Sequence, residues 1–288
     1  MASETLMGST ELNRVPRQMI EIRPKKGLFD LDLGAVWRYR ELLYFLVWRE
    51  LKVRYKQAAI GVGWAVLQPV IAVLIFTAIF GYFARIPSDG VPYAVFAFTA
   101  ILPWTYFSEA FRRGGTGLVD DADLIRKIYF PRLIIPLAMV AAPLVDFLLT
   151  FVVLLVLLAW YGIMPTANIL FLPFFLLVAM VLALAVALWL GPVNVRFRDI
   201  KHTLPFLIQI WMFASPVVYP LSMVPERWKL LYSLNPMVGV IEGFRWALLG
   251  KAIPDFLAMG VSLFLIVLVL LGGIVYFKNM ERFFADVI

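Results

Sequence analysis

The sequence has no cysteine, and its 288 residues include a single histidine, His202. The first absence excludes disulfides, thiolate metal sites and a cysteine nucleophile. The second excludes a multi-histidine metal centre. Charge is scarce as well: 16% of the residues are Asp, Glu, Lys or Arg, against about 25% in an ordinary soluble domain. Apolar residues make up 62% of the chain and the mean hydropathy is +0.88, too much for one soluble core, which indicates an integral membrane protein. Basic residues outnumber acidic ones by 26 to 19, a net charge of +7. In a membrane protein that surplus belongs to cytoplasmic loops and does not call for nucleic acid.

Other signatures are missing too. Gly250-Lys251 is followed by Ala252, and Arg245 stands where a phosphate-binding loop would need its first glycine, so nothing cradles a nucleotide. No two carboxylates are spaced closely enough to suggest a glycosidase dyad. Asp120, Asp121 and Asp123 run straight into Leu124 and Ile125. That is no calcium loop; acids there fit the start of a short helix, where they offset its positive end. No metal and no cofactor is expected on this chain. The N-terminal 26 residues are polar, with no apolar stretch behind their basic residues, so no cleavable signal peptide is expected.

Uncharged runs locate the spans. No charge lies between Lys56 and Arg85, and residues 61–83 would reach about 34 Å as a helix at ~1.5 Å per residue, enough for a ~30 Å hydrocarbon layer. Residues 90–108 form a second run. Beyond Arg132 only Asp146 interrupts a long apolar tract, which the turn signal YGIMPTAN (161–168) divides into spans at about 133–160 and 168–191. A fifth fills 203–225 and a sixth 256–277. The fold class is therefore all-α, a polytopic membrane protein with six transmembrane helices. Of the 26 basic residues, 21 fall on the side of the termini and five (Arg85, Arg227, Lys229, Arg245 and Lys251) on the other, which places both termini in the cytoplasm.

Two segments lie outside this simple bundle. Within 37–56, Arg38, Glu41, Arg49, Lys52 and Lys56 share roughly one helical face, and Leu42, Leu43, Leu46, Val47 and Leu51 mostly another. Such a helix is expected in the cytoplasmic interface, apolar side in the membrane and basic side toward lipid headgroups. Residues 226–254 are moderately apolar and broken by Asn235-Pro236, Gly239, Gly243 and Gly250. Two helices at 230–234 and 238–249 are each too short to span, and a re-entrant pair dipping back from the outer face fits. The domains read as an N-terminal extension (1–34), the interfacial helix (35–58), the six-helix transmembrane body (59–278) and a C-terminal tail (279–288).

Asp146 is the one acid deep in a span. A charge there costs about 2.5–3.5 kcal/mol on insertion scales, so it needs a partner. A proton relay would need further ionisable residues that the neighbouring spans lack, which favours a structural hydrogen bond to another helix. Glu109 with Arg112 and Arg113 reads as an i,i+3 and i,i+4 set at a helix end, and His202 as an interfacial residue. Aromatics are dense, with 24 Phe, 11 Tyr and 9 Trp. Most belong to interfacial girdles, but Trp64, Tyr82, Trp104, Tyr106, Phe107, Trp211, Phe213 and Tyr219 are candidates to line a path along which a sugar polymer slides.

Four stretches carry a resemblance: RELKVRYKQAAIGVGWAVLQPV (49–70), ADLIRKIYFPRLIIPLA (122–138), NVRFRDIKHTLPFLIQIWMFASPVVYPLSMVPERW (194–228) and LNPMVGVIEGFRWALLG (234–250). Together and in order they resemble the permease subunit of ABC transporters that export polysaccharides such as O-antigen, capsule and teichoic acid chains. The resemblance covers about 35–288. It implies six spans, an interfacial helix before the first, re-entrant helices before the last, a homodimeric pore and two copies of a separate cytoplasmic ATPase that bind ATP and magnesium. It further implies that residues 121–132 form a coupling helix docking on that ATPase, through Asp121, Leu124, Ile125, Arg126, Lys127, Ile128, Tyr129, Phe130 and Arg132. Two further roles complete the expectation: Arg49, Lys52, Arg54 and Lys56 hold the headgroup of a lipid-linked polysaccharide, and the re-entrant pair, with Asn235, Pro236, Glu242 and Arg245, forms an outer gate. The protein is then no enzyme but a multi-pass permease of the inner membrane, with O-antigen preferred over capsule, teichoic acid or small-molecule and lipid cargo. A membrane transferase for lipid-linked glycans would need polar catalytic groups clustered at an interface, of which the chain offers few and none with recognisable spacing, and a proton-coupled transporter would need inverted repeats and more buried ionisable residues.

Overall fold

A computed structural model of the chain describes residues 33–56, 61, 63–250 and 255–287. The N-terminal extension up to residue 32, positions 57 and 58 of the interfacial helix, and 251–254 at the end of the expected re-entrant region lie outside the described residues.

Twelve α-helices are defined among them: α1 (Leu33–Arg38), α2 (Arg40–Lys56), α3 (Gly63–Phe76), α4 (Tyr93–Asp120), α5 (Ala122–Lys127), α6 (Ile134–Ala141), α7 (Leu144–Trp160), α8 (Leu172–Arg196), α9 (Ile200–Phe213), α10 (Glu226–Ser233), α11 (Pro236–Leu249) and α12 (Phe256–Val287). The described residues contain no strand. A π-helical turn, Thr77–Phe83, extends α3, and a 3₁₀ turn, Ala167–Phe171, leads into α8.

Among the described residues, four segments are long and apolar enough to cross a membrane: Gly63–Phe83, Ile134–Trp160, Ala167–Arg196 and Leu257–Glu281. They match the first, third, fourth and sixth expected spans. The second expected span lies in α4, which starts after Pro92 and runs on through Glu109, Arg112 and Arg113 to Asp120. The fifth differs. α9 stops at Phe213 after 14 residues, about 21 Å at ~1.5 Å per residue, and the chain turns through Ser215-Pro216 and Tyr219-Pro220 instead of continuing to 225. Residues 226–249 do form two short helices, α10 and α11, as their lengths and breaks suggested.

Packing centres on α4 and α8. Along α8, Ala179, Ala183, Ala187 and Gly191 fall at every fourth position and are buried, so one edge of the helix carries almost no side-chain bulk. Gly114 of α4 meets that edge; a Cβ built there would lie 2.4 Å from the Ala187 Cβ. Small residues let two apolar helices approach closely where hydrophobicity alone provides no drive. Gly114→Ala is expected to destabilise by ~1–3 kcal/mol through overpacking, read as a lower unfolding midpoint in detergent. Gly260→Ala, where a Cβ meets nothing within 4 Å, should be silent.

The interfacial helix is placed differently from the sequence expectation. Leu46 is fully buried, and Leu42, Leu43 and Val47 pack with it against Ile134, Ile135, Ala138 and the Phe277 and Phe284 rings of α12. The apolar side of α2 thus lies on the protein's own helices. The side left open carries Tyr44 and Trp48, with Trp37 exposed on the neighbouring α1, rings suited to the headgroup level.

Candidate functional site

The segment 121–132 holds one and a half turns of helix, α5, which gives way to extended backbone at Ile128 ahead of Pro131. The residues expected to form one docking face divide. Ile125 and Phe130 are buried in the same apolar cluster as Leu46 and Ile135, with Leu124 packed against it. Arg126, Lys127, Ile128 and Tyr129 project outward, Tyr129 being 70% exposed where Phe130 is 4% exposed. A surface recess of about 190 Å³ is bounded by Ile125–Phe130 and Arg132. Arg132 donates to the Glu281 carbonyl and lies 5.8 Å from the Phe284 ring, fixing the recess to the end of α12. Asp121 stands at the N-cap of α5, but its carboxylate makes no capping bond; it accepts from Arg49 of α2 at 2.5 Å.

That contact is one link in a larger ionic cluster. Arg49 also reaches Glu50 at 3.2 Å, Glu50 accepts from Arg113 at 2.6 Å, and Arg113 donates to Glu109 at 2.6 Å. Glu109 accepts in addition from Arg112 at 2.8 Å and Arg54 at 3.0 Å. Arg54 pairs with Asp146 at the base of α7, whose other oxygen accepts from the Tyr55 hydroxyl. The hydrogen bond expected for Asp146 is therefore made, and by α2. Burial holds the Arg54 guanidinium down to about 10, assisted by neighbouring Arg113. Burial likewise pushes the Asp121 carboxyl up against the pull of Arg49. Arg49 and Arg54, two of the four cations expected at lipid headgroups, thus have their charge satisfied inside the chain. Lys52 and Lys56 remain exposed.

The eight aromatic candidates also separate. Trp104, Tyr106 and Phe107 are buried in the core of the chain. The Tyr106 hydroxyl donates to the Val140 carbonyl at 3.0 Å, and the Phe107 ring meets Trp211 edge-on at 5.0 Å. These three present no surface to a passage. Trp64, Tyr82 and Phe213 are exposed. Trp211, in the last turn of α9, and Tyr219, beyond it, take part in the contacts around the break after α9.

Ending α9 at Phe213 leaves carbonyls without helical partners, a state tolerated at membrane depth only when protein groups satisfy them. Side chains from four places do so. The Tyr219 hydroxyl donates to the Phe213 carbonyl at 3.0 Å and contacts the Tyr232 hydroxyl. Asn235 Nδ2 donates to the Ala214 carbonyl at 3.0 Å and to Ser215 Oγ at 2.9 Å, while Oδ1 accepts from Trp211 Nε1 at 2.8 Å and caps α11 through Met237 N–H at 3.1 Å. Arg245 donates to the Val217 carbonyl at 3.2 Å, and Tyr93 to that of Val218 at 2.6 Å. Arg245 is 4% exposed. It pairs with Glu242 at 2.8 Å and its guanidinium lies 3.7 Å from the Phe96 ring centre, a cation–π contact strengthened by desolvation. α11 itself opens on Pro236 and closes on Gly250, whose φ of +66° is the left-handed conformation glycine adopts freely.

Three of the four expected gate residues, Asn235, Glu242 and Arg245, therefore meet around the break, with Pro236 beginning the helix that holds two of them. Sequence reasoning missed Tyr93, Glu50 and Tyr55; it found Arg113 as a partner of Glu109 but not its bond to Glu50. Glu50 had a readable signal, an acid set among basic residues of an amphipathic helix; Tyr93 had none. No group of three or more potential metal ligands occurs among the described residues.

Comparison with known proteins adds the following. A family profile described as ABC-2 type transporter matches residues 41–249. The chain is 34% identical over 222 residues to an O-antigen export system permease protein of Myxococcus xanthus, covering 76% of this chain and 85% of that one. It is 25% identical over 249 residues to a protein of the same description from Klebsiella pneumoniae, covering 86% and 95%. It is 26% identical over 220 residues to a polysialic acid transport protein of Escherichia coli, covering 75% and 82%.

Proposed function

The chain belongs to the membrane family of ABC-2 type transporters, and on that premise we propose that it forms the inner-membrane passage for a lipid-linked polysaccharide of O-antigen type. It is a multi-pass transport permease and not an enzyme; ATP is hydrolysed by a separate subunit. The similarity to the Myxococcus O-antigen permease across 85% of that protein's length carries the choice of cargo.

Two copies assemble, because one chain has too few helices to surround a polymer, and a two-fold axis supplies the second half. α4 supplies a further span, α9 together with the irregular segment 214–225 supplies the sixth, and the termini lie in the cytoplasm, as the excess of basic residues on their side favours. One ATPase docks on each copy at Arg126–Tyr129, the outward tip of the coupling segment. ATP binding moves α5 and shifts the spans between two packings. Lys52 and Lys56, which pair with no acid among the described residues, meet the anionic headgroup. α10 and α11 re-enter from the outer side as a gate, and Trp64, Tyr82 and Phe213 offer their rings to sugar faces.

The test uses inverted vesicles holding the chain with its ATPase and a lipid-linked O-polysaccharide in the outer leaflet. ATP should render the glycan resistant to an added glycosidase. Full sensitivity after ATP, or protection of polysialic acid alone, overturns the proposed cargo. Tyr129→Ala should lower permease-stimulated hydrolysis at least fivefold with an unchanged unfolding midpoint, since the ring makes little contact with its own chain; unaltered stimulation would remove this tip from the docking surface.

A further inference from the structure

Four carboxylates and four arginines form one unbroken chain between α5 and α7. Its order is Asp121, Arg49, Glu50, Arg113, Glu109, Arg54, Asp146, with Arg112 as a side branch on Glu109. It alternates in sign at every step apart from that branch and sums to zero charge. Headgroup attraction needs surplus positive charge, and this cluster has none to offer. Structural capping of a helix end would need one or two of these groups, whereas the chain connects α2, α4, the start of α5 and the base of α7.

Arg54 is the critical member. Among the contacts of the described residues it is the one ionic link from the Glu109 side to Asp146. A guanidinium can hold two carboxylates at once through its separate NH groups. Asp146 lies at the first turn of α7, and one turn further Thr150 donates to the Ala65 carbonyl of α3 at 3.1 Å. Displacement of α5 thus has a continuous route of charged contacts into α7 and a hydrogen bond onward to the first span. Coupling over such distances travels through packed, hydrogen-bonded networks of this kind.

We propose that Arg54 is a positioning residue that joins the coupling segment to the third span, so that the ATPase stroke at α5 reaches the spans through this arginine–carboxylate chain. The proposal rests on reading the protein as an ATP-driven permease.

The absence of cysteine allows a single-cysteine reporter without background. Tyr82, 76% exposed at the far end of the first span, is replaced by Cys in the full chain assembled with its ATPase. Labelling by a maleimide is timed without nucleotide and with ATP trapped. In the Arg54→Gln variant the nucleotide-dependent change in labelling rate should shrink at least fivefold while ATP hydrolysis stays within twofold of the parent. Arg54→Lys, whose ammonium cannot span two carboxylates in the same way, should fall between. Arg49→Asp and Asp121→Arg should each reduce the response, and the double exchange should restore at least half of it. A cluster that merely stabilises the fold gives the opposite pattern: a lower unfolding midpoint with the labelling response intact. That pattern, or a double exchange no better than either single variant, overturns the proposal. Should Arg54→Gln fail to assemble, Asp146→Asn removes the same link while keeping side-chain shape and the Tyr55 contact, and the same loss is expected; a parental response there is equally fatal. The reporter follows ATP-driven motion and no glycan, so an error in the cargo leaves this test standing.

Discussion

Arg245→Ala is expected to lower the unfolding free energy by about 3–5 kcal/mol, the range for removing one partner of a buried ion pair. The guanidinium is enclosed by Glu242, the Val217 carbonyl and the Phe96 ring. Alanine would strand the carboxylate in an apolar setting, leave the carbonyl of an irregular segment unbonded, and open a hole over the ring. Arg245→Lys should recover little, because a compact ammonium cannot face the ring and donate to two acceptors in the same geometry. The informative variant is the double change Arg245→Met with Glu242→Gln, which removes both charges and fills the volume. It should regain more than half of the lost stability, since exchanging a whole buried pair for neutral groups is often close to neutral. Unfolding in detergent, followed by intrinsic tryptophan fluorescence, measures all three against the parent. If Arg245→Ala unfolds like the parent, the break after α9 does not depend on this side chain.

The break also marks where sequence reasoning succeeded and where it stopped. Hydropathy located the first, third, fourth and sixth spans because each is a long apolar run, broken by a charge only at Asp146 in the third. It carried the fifth through to Pro225 because residues 203–225 are uncharged too, apart from their polar ends. The shortfall at Phe213 depends on Tyr93, Asn235 and Arg245, which lie on other helices and receive the freed carbonyls. Periodicity within one segment carries no information about partners supplied by another. The same limit explains α2. Its amphipathic pattern was legible, but whether the apolar side meets lipid or protein is decided by Ile134, Ile135 and Phe284 at distant positions in the chain. At the coupling segment the apolar residues were recognised as a group, yet a helix of six residues with an extended exit turns Ile125 and Phe130 inward and Ile128 and Tyr129 outward, a division that a single helical face does not express. Arg49 and Arg54 read as headgroup ligands because acids at positions 109, 121 and 146 lie far away in sequence and next to them in space.

The second large effect is expected at Gly243. A Cβ there would lie 2.1 Å and 2.2 Å from two ring carbons of Phe175, so α11 rests on α8 with the thickness of a glycine between them. Phe175 is buried, with Phe174 at 5.4 Å and Trp246 at 6.4 Å between ring centres. Its ring has little room to turn away, and the clash must be relieved by moving α11 as a body. Gly243→Ala should therefore cost about 3 kcal/mol, the upper end for overpacking, although alanine is the better helix former by roughly 1 kcal/mol. Moving α11 also pulls Arg245 and Asn235 off the carbonyls they satisfy, so the damage should extend to the break: an Asn235→Ala change should add less in the Gly243→Ala background than in the parent, because sites that share a backbone shift are not additive. Phe175→Leu removes the ring carbons that clash. On its own it should destabilise by leaving a cavity; combined with Gly243→Ala it should restore more than half of the loss, and the two changes together should be milder than their sum. Additive losses would mean that the ring is not what the new methyl group meets, and that α11 and α8 are held apart by something other than this contact.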